Sequence, residues 1–164
     1  PVDIPKNVGV AHTKWTTNLP FVSVHFACLL VLWTGITPTA AWIGLATLLV
    51  RMFGLPGGYH RYFCHRSFKT SRVFQFLLAW AGASAAQKGP LWWAGHHRNH
   101  HQHSDTEKDV HPPGVKGFYW AHVGWIMSPA NARTRSELVP DLTRFHELEW
   151  LDRNHYVAPS SRAV

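Results

Sequence analysis

From Trp15 to Val50 the chain runs through 36 consecutive positions without an Asp, Glu, Lys or Arg. As one helix at about 1.5 Å per residue this stretch would measure roughly 54 Å, against a hydrocarbon thickness of about 30 Å. Gly35 and Pro38, within TGITPT, interrupt it, and both residue types break helices. The pattern therefore predicts a two-pass transmembrane hairpin over residues 18–54. Its arms, LPFVSVHFACLLVLW and AAWIGLATLLVRMFG, are short for full spans and borrow flanking residues. A hairpin buried in a soluble core is the alternative; uncharged length and aromatic ends favour the membrane. His25, alone in the first arm, is expected to be a polar residue buried in the helix pair. A third apolar stretch, Val73 to Gln87, is too short and too rich in Ala, Gly and Ser to span. It predicts a helix lying on the membrane surface.

Composition adds to this picture. The 164 residues suit a single domain, 1–164, and include nine Trp, nine Phe and only 15% charged residues. The net charge of +7 has no basic helix or base-reading motif behind it, which argues against nucleic acid. Lys6 and Lys14 precede the first arm, while Arg51, Arg61, Arg66, Lys69 and Arg72 follow the second. Positive charge marks the cytoplasmic side, so residues 55–164 are expected to form a cytoplasmic region below an integral membrane hairpin. Two cysteines, Cys28 and Cys64, make no disulfide framework, consistent with a reducing compartment. The first residues show no leader pattern, so targeting is expected from the internal apolar segments.

The chemistry is concentrated in histidine. Eight of the 13 histidines lie between His60 and His111. His60 and His65 form H-x-x-x-x-H; His97, His100 and His101 form H-x-x-H-H. Positions three and four apart share a helix face, so His97 can act with both His100 and His101. The adjacent pair diverges by about 100°, which suits delivery of imidazoles to two neighbouring metal ions. His60 and His65 do not share a face of a regular α-helix, and they either straddle a helix end or serve two metals. Imidazole suits zinc, copper, iron and nickel, and no C-x-x-C pair points to structural zinc. The E-x-x-H motif of soluble carboxylate-bridged di-iron bundles does not occur. A merely metal-sequestering histidine tract is the bland alternative.

GYHRYFCHRSFKT, WWAGHHRNHHQHSDTEKDVH and GFYWAHVGWIM, taken in that order, resemble the membrane fatty-acyl desaturases of the delta-9, acyl-CoA-desaturase type. The likeness covers roughly Pro38 to Trp150. Alkane and sterol hydroxylases share the wider histidine plan, but the H-R-x-x-x-H box, the R-x-F-K that follows and the H-V-G-W segment favour desaturases. The resemblance implies an all-α membrane fold with two irons held beneath four transmembrane helices, and ligands at His60, His65, His97, His100 and His101. The family also has a second hairpin and a third histidine box. This chain stops at Val164 without them, so a C-terminally truncated, incomplete four-helix desaturase fold, inactive alone, is expected.

A bound imidazole usually gives its other N–H to an oxygen acceptor, making Asn99, Asp105 and Asp109 candidate partners of the ligands. His96 is left out of the ligand set; His103 and His111 stay open between weak metal binding and hydrogen bonding. Removing two hydrogens from unactivated methylenes needs a metal–oxygen oxidant rather than side-chain acid, base or nucleophile. The resemblance implies that dioxygen takes two electrons from the acyl chain and two from an external electron carrier, giving one cis double bond and two waters. Trp80, Trp92, Trp93, Phe118 and Trp125 are candidate walls for an acyl tunnel, or interface anchors. The basic residues Arg61, Arg66, Lys69 and Arg72 could receive phosphates of a CoA or lipid head group, or simply mark the cytoplasmic side. Expected partners are a fatty acyl thioester or lipid-linked acyl substrate, the carrier and membrane lipid. A related hydroxylase and a non-catalytic membrane metal-binding protein are the competing readings.

Overall fold

A computed structural model describes residues 15–161, and the described residues contain helices and turns but no strand. Lys6 and Lys14, which entered the orientation argument, lie outside them. The chain opens with α1 (Trp15–Ala27), passes through a 3₁₀ turn at Cys28–Leu30, and continues as α2 (Val31–Thr34). Gly35 ends this run with φ of 70°. A Cβ there would meet nothing within 4 Å, so glycine is needed for its backbone conformation rather than for space. Thr37 then caps α3 (Pro38–Phe53): its side-chain oxygen accepts from the Ala40 N–H at 3.2 Å, and Pro38 takes the first helical position, where its missing N–H costs nothing.

The helix does not stop at Phe53. It continues as a π-helix, Gly54–Cys64. Pro56 has no N–H and its ring crowds the preceding turn, which accounts for the wider winding. Together the two segments make Pro38–Cys64, the one helix among the described residues that is long and apolar enough to cross a membrane; Phe21–Thr34 is apolar but shorter. Side chains from Phe21 to Ile43 are exposed throughout, so the two arms are not packed as a tight pair. His25 accordingly is exposed, not buried as expected, and its Nδ1 is hydrogen-bonded to the Phe21 carbonyl at 2.7 Å. A polar ring on an unpacked helix is satisfied locally.

Below the rod, the chain folds into a compact helical layer. α4 (Arg72–Ala83) is capped by the Ser71 hydroxyl and crosses the π segment closely, because Gly54 and Gly82 leave no Cβ in the way. A Cβ on Gly54 would lie 2.5 Å from the Ala81 carbonyl carbon, and one on Gly82 would enter the Tyr59 ring. α5 (Pro90–His103) follows, then short helices α6 (Pro113–Lys116), α7 (Trp125–Met127) and α8 (Pro140–Thr143). α9 (His146–Arg153) and α10 (Val157–Ser160) complete it. The core joins Tyr59 and Phe63 of the π segment, Leu78 and Ala83 of α4, Leu91 and Ala94 of α5, and Leu148 and Leu151 of α9.

Two polar ties fix α5 in place. Its N-terminus begins at Gly89, which offers no side-chain cap. The Asp152 carboxylate of α9 does so instead, accepting from the N–H groups of Leu91 at 3.0 Å and Trp92 at 2.8 Å. Further along, Arg98 donates to both oxygens of Asp141 at 2.7 and 3.0 Å, to the Leu138 carbonyl at 3.0 Å and to the Phe63 carbonyl at 2.6 Å. This guanidinium joins α5 to the end of the π segment and to α8.

Candidate metal centre

The π segment with His65, the residue that ends it, and α5 each contribute two imidazoles to one cluster. Winding by five residues per hydrogen-bonded turn is seen directly where the His65 N–H donates to the His60 carbonyl at 3.1 Å. The side chains follow: the two Nε2 atoms are 3.1 Å apart and the ring centroids 4.4 Å. On α5, His97 and His101 share a face at i and i+4, with Nε2 atoms 3.0 Å apart. The pairs meet with centroids 4.8 Å apart for His60 and His97 and 4.7 Å for His65 and His101. One ring nitrogen from each of the four lies within 4.8 Å of all the others.

This donor set fits a metal ion. Two imidazole nitrogens each about 2.1 Å from one ion and at right angles lie about 3.0 Å apart, close to both pairs seen here. Imidazole must be neutral to ligate. Burial first, and then the neighbouring histidines, pull His97 down to about 3. His65 is lowered in the same way by burial, His60, His101 and Arg61. His60 faces His65 and His97 faces His101 through Nε2 atoms 3.1 and 3.0 Å apart, an arrangement of nitrogens that a cation set between them can take up.

His100, one residue from His101, turns away as its 100° rotation requires. Its Nδ1 donates to Asp109 Oδ2 at 2.9 Å, leaving Nε2 as the free lone pair. Its ring stacks on His111 at 4.4 Å, and His100, Asp109 and His111 form a second group that could hold an ion. The Asp109 side chain is fully buried. Burial works to raise its carboxyl, yet the His111 N–H and His100 together hold it below the usual carboxylate range. His100 stays near the first group, 6.1 Å from His97 and 5.6 Å from His101 between centroids.

The other expected site residues separate by contact. Asn99 is buried, but its side chain accepts from Arg135 at 2.7 Å and donates to the Lys108 carbonyl at 3.3 Å, not to a histidine ring. Asp105 is exposed and its backbone N–H points to Asp109. Of the three proposed acceptors, only Asp109 reaches a clustered histidine. His96 is buried against Trp92 and Trp125, bonded to the Trp92 carbonyl, and held down to about 4 mainly by burial. His103 bonds the Asn99 carbonyl.

Trp92, Trp93 and Trp125 line a cavity of about 170 Å³ together with His97 and His111. Trp93 stacks on His97 at 4.8 Å, and Trp92 on Trp125 at 5.6 Å. Asn131 braces the second pair, accepting from the Trp92 indole at 2.7 Å and donating to the Trp125 carbonyl at 2.9 Å. Trp80 and Phe118 lie elsewhere, the first against Phe76 at the core edge, the second exposed and stacked on His122. Asp152, Arg98 and Asn131 escaped the sequence reading, since each acts across more than 30 intervening residues or through a backbone carbonyl.

Comparison with known proteins gives consistent matches. The chain is 39% identical over 126 residues to the sn-1 stearoyl-lipid 9-desaturase of Anabaena variabilis, covering 73% of this chain and 45% of that protein. It is 34% identical over 159 residues to the sn-2 palmitoyl-lipid 9-desaturase of a Nostoc species, covering 91% and 54%. A probable acyl-CoA desaturase of Schizosaccharomyces pombe is 43% identical over 81 residues, covering 49% and 16%. The chain thus spans about half the length of the two cyanobacterial relatives. The family model described as fatty acid desaturase matches residues 19–161, and the chain belongs to that family.

Proposed function

We propose that this chain forms the histidine-bearing part of a membrane di-iron fatty acyl desaturase. The observation that supports it most is the convergence of His60, His65, His97 and His101, from two separate helices, on one small volume. His100, oriented by Asp109, would add a fifth imidazole. Iron held by these residues would supply the dioxygen-dependent oxidation that unactivated methylenes require. The remaining work belongs to the protein. Asp109 holds the Nδ1 proton of His100 so that Nε2 faces outward. Trp92, Trp93 and Trp125 offer an apolar wall beside His97 along which an acyl chain can lie and from which water is excluded.

The substrate class is a saturated fatty acyl group carried by a lipid or a thioester; the desaturated product has one cis double bond. Two electrons come from an external carrier. The uncharged stretch over residues 18–54 would be the transmembrane hairpin, with residues 55–164 and the histidines on the cytoplasmic side, following the basic residues beyond Val50. The test is expression of the gene, with whatever coding sequence flanks these residues, in a host unable to make unsaturated fatty acids. Iron content and an olefin product are expected for the native sequence, and loss of both for His97→Ala at equal protein level. Iron and olefin undiminished in that variant sink the assignment, while an alcohol product reassigns the reaction to hydroxylation.

A further inference from the structure

A second groove, of about 480 Å³, lies between the loop after His65, the start of α4 and the turn from α8 to α9. Gln75 lines it and is only 4% exposed. Its Oε1 accepts from the Tyr62 hydroxyl at 2.8 Å, but its Nε2 has no partner. A buried amide donor without an acceptor is unfavourable, so this position calls for an oxygen atom.

The rim is cationic, with Arg66, Lys69, Arg72 and Arg144. Arg72 is held by Glu147 through two bonds of 2.6 and 2.7 Å, and Arg66 by Asp141 at 2.8 Å. Asp141, the carboxylate that lines the groove, is also held by Arg98. Among the described residues Lys69 and Arg144 have no carboxylate partner, and the Arg144 guanidinium lies 4.9 Å from the Phe145 ring centroid. With Arg98 counted beside the four rim cations, five positive charges face two carboxylates, and Lys69 and Arg144 are left without a carboxylate of their own. Immediately beyond Arg72, Val73 and Phe74 expose apolar side chains, so the charged rim adjoins a surface suited to acyl chains.

We propose that this groove binds a phosphate group. Lys69 and Arg144 balance its charge, and Gln75 donates to one of its oxygens. A guanidinium and an ammonium around one polar donor are the groups that recognise phosphate. The neighbouring apolar side chains fit a phosphate carried by a membrane glycerolipid; a soluble phosphate ester presents the same oxygens. The inference leans on the acyl-substrate reading only for its choice of lipid probe, and it is tested by binding, without turnover.

The protein, expressed with whatever coding sequence flanks these residues and held in neutral detergent, is titrated calorimetrically with short-chain phosphatidylglycerol, glycerol 3-phosphate, an uncharged short-chain diacylglycerol and polyglutamate. Phosphate-bearing probes should bind and the diacylglycerol should not. The double variant Lys69→Glu, Arg144→Glu changes two exposed side chains, and circular dichroism checks its fold. It should weaken phosphate binding at least tenfold. Loss for phosphatidylglycerol alone assigns a lipid head group, and equal loss for glycerol 3-phosphate assigns a soluble ester. Affinity within twofold of the native chain for both phosphate probes overturns the proposal, as does a loss confined to added polyglutamate, which would assign the face to an acidic protein. Failure here leaves iron content and olefin formation untouched, so it is separable from failure of the desaturase reading.

Discussion

His60 and His65 bring their Nε2 atoms to 3.1 Å because the backbone between them winds as a π-helix. Each ring is therefore a near neighbour of the other and of the α5 pair. Replacing either His60 or His65 by Ala should lower metal affinity by more than tenfold, by analogy with losses of that order for outer partners alone. His25→Ala, on the exposed first arm, should leave affinity unchanged. Cobalt titration followed by visible absorption measures both, and equal affinity in His60→Ala would remove that residue from the site.

Asp109, fully buried, fixes the ring of the half-buried His100. Asp109→Asn keeps the shape and removes the charge that holds the Nδ1 proton, and should cost 10- to 100-fold in metal affinity. Asp105→Asn, whose side chain is exposed, should be silent. The same cobalt titration separates the two, and equal losses would show that the acidic turn acts through net charge alone.

Asp152 caps α5 from another helix. Asp152→Ala removes two charge-assisted acceptor contacts at the N-terminus of the ligand-bearing helix and should destabilise the fold by about 1 to 2 kcal/mol. Thermal unfolding in detergent reads the loss. Asp152→Asn, which keeps an acceptor oxygen, should recover most of it.

Acid should loosen the contact between α9 and α4. The Arg72 hydrogen bond, opposed by slight burial, holds the Glu147 carboxyl down to about 2 against an ordinary value of 4.5. A carboxylate whose folded pKa is depressed stabilises the fold above its unfolded pKa and loses that contribution as pH falls through the folded one. Stability from this pair is thus fully present above about 4.5 and fades between there and about 2. Arg72 is exposed and Glu147 half-buried, so solvent reaches the pair and the effect is modest and salt-sensitive. Tm measured across that window should fall less steeply in Arg72→Ala than in the native chain, and parallel slopes would discount the pair.

The sequence carries the histidine geometry unevenly. A spacing of four is enough to put His97 and His101 on one helix face, and adjacency is enough to turn His100 away from His101. The H-x-x-x-x-H spacing says less, because five residues fall between faces of an α-helix, and only the winding around Pro56 brings His60 and His65 together. Arg98 and Asp141, 43 positions apart, and Asp152 and Trp92, 60 apart, leave no local periodicity to read. His111 depends on ring stacking after a turn, which no residue spacing encodes. The exposed arms show the opposite limit: their apolar pattern is plain in the sequence, but what they pack against is not.

A π-helix can be regarded as an α-helix that has taken in an extra residue without breaking. Of the four positions between His60 and His65, one is surplus to the α-helical repeat, and the wider coil absorbs it. A chain lacking that residue would read H-x-x-x-H, wind as an ordinary α-helix there, and present the same two rings to the same volume. Distance along the chain between these histidines is therefore a record of local winding, and two proteins that differ in that count by one can share one metal cage.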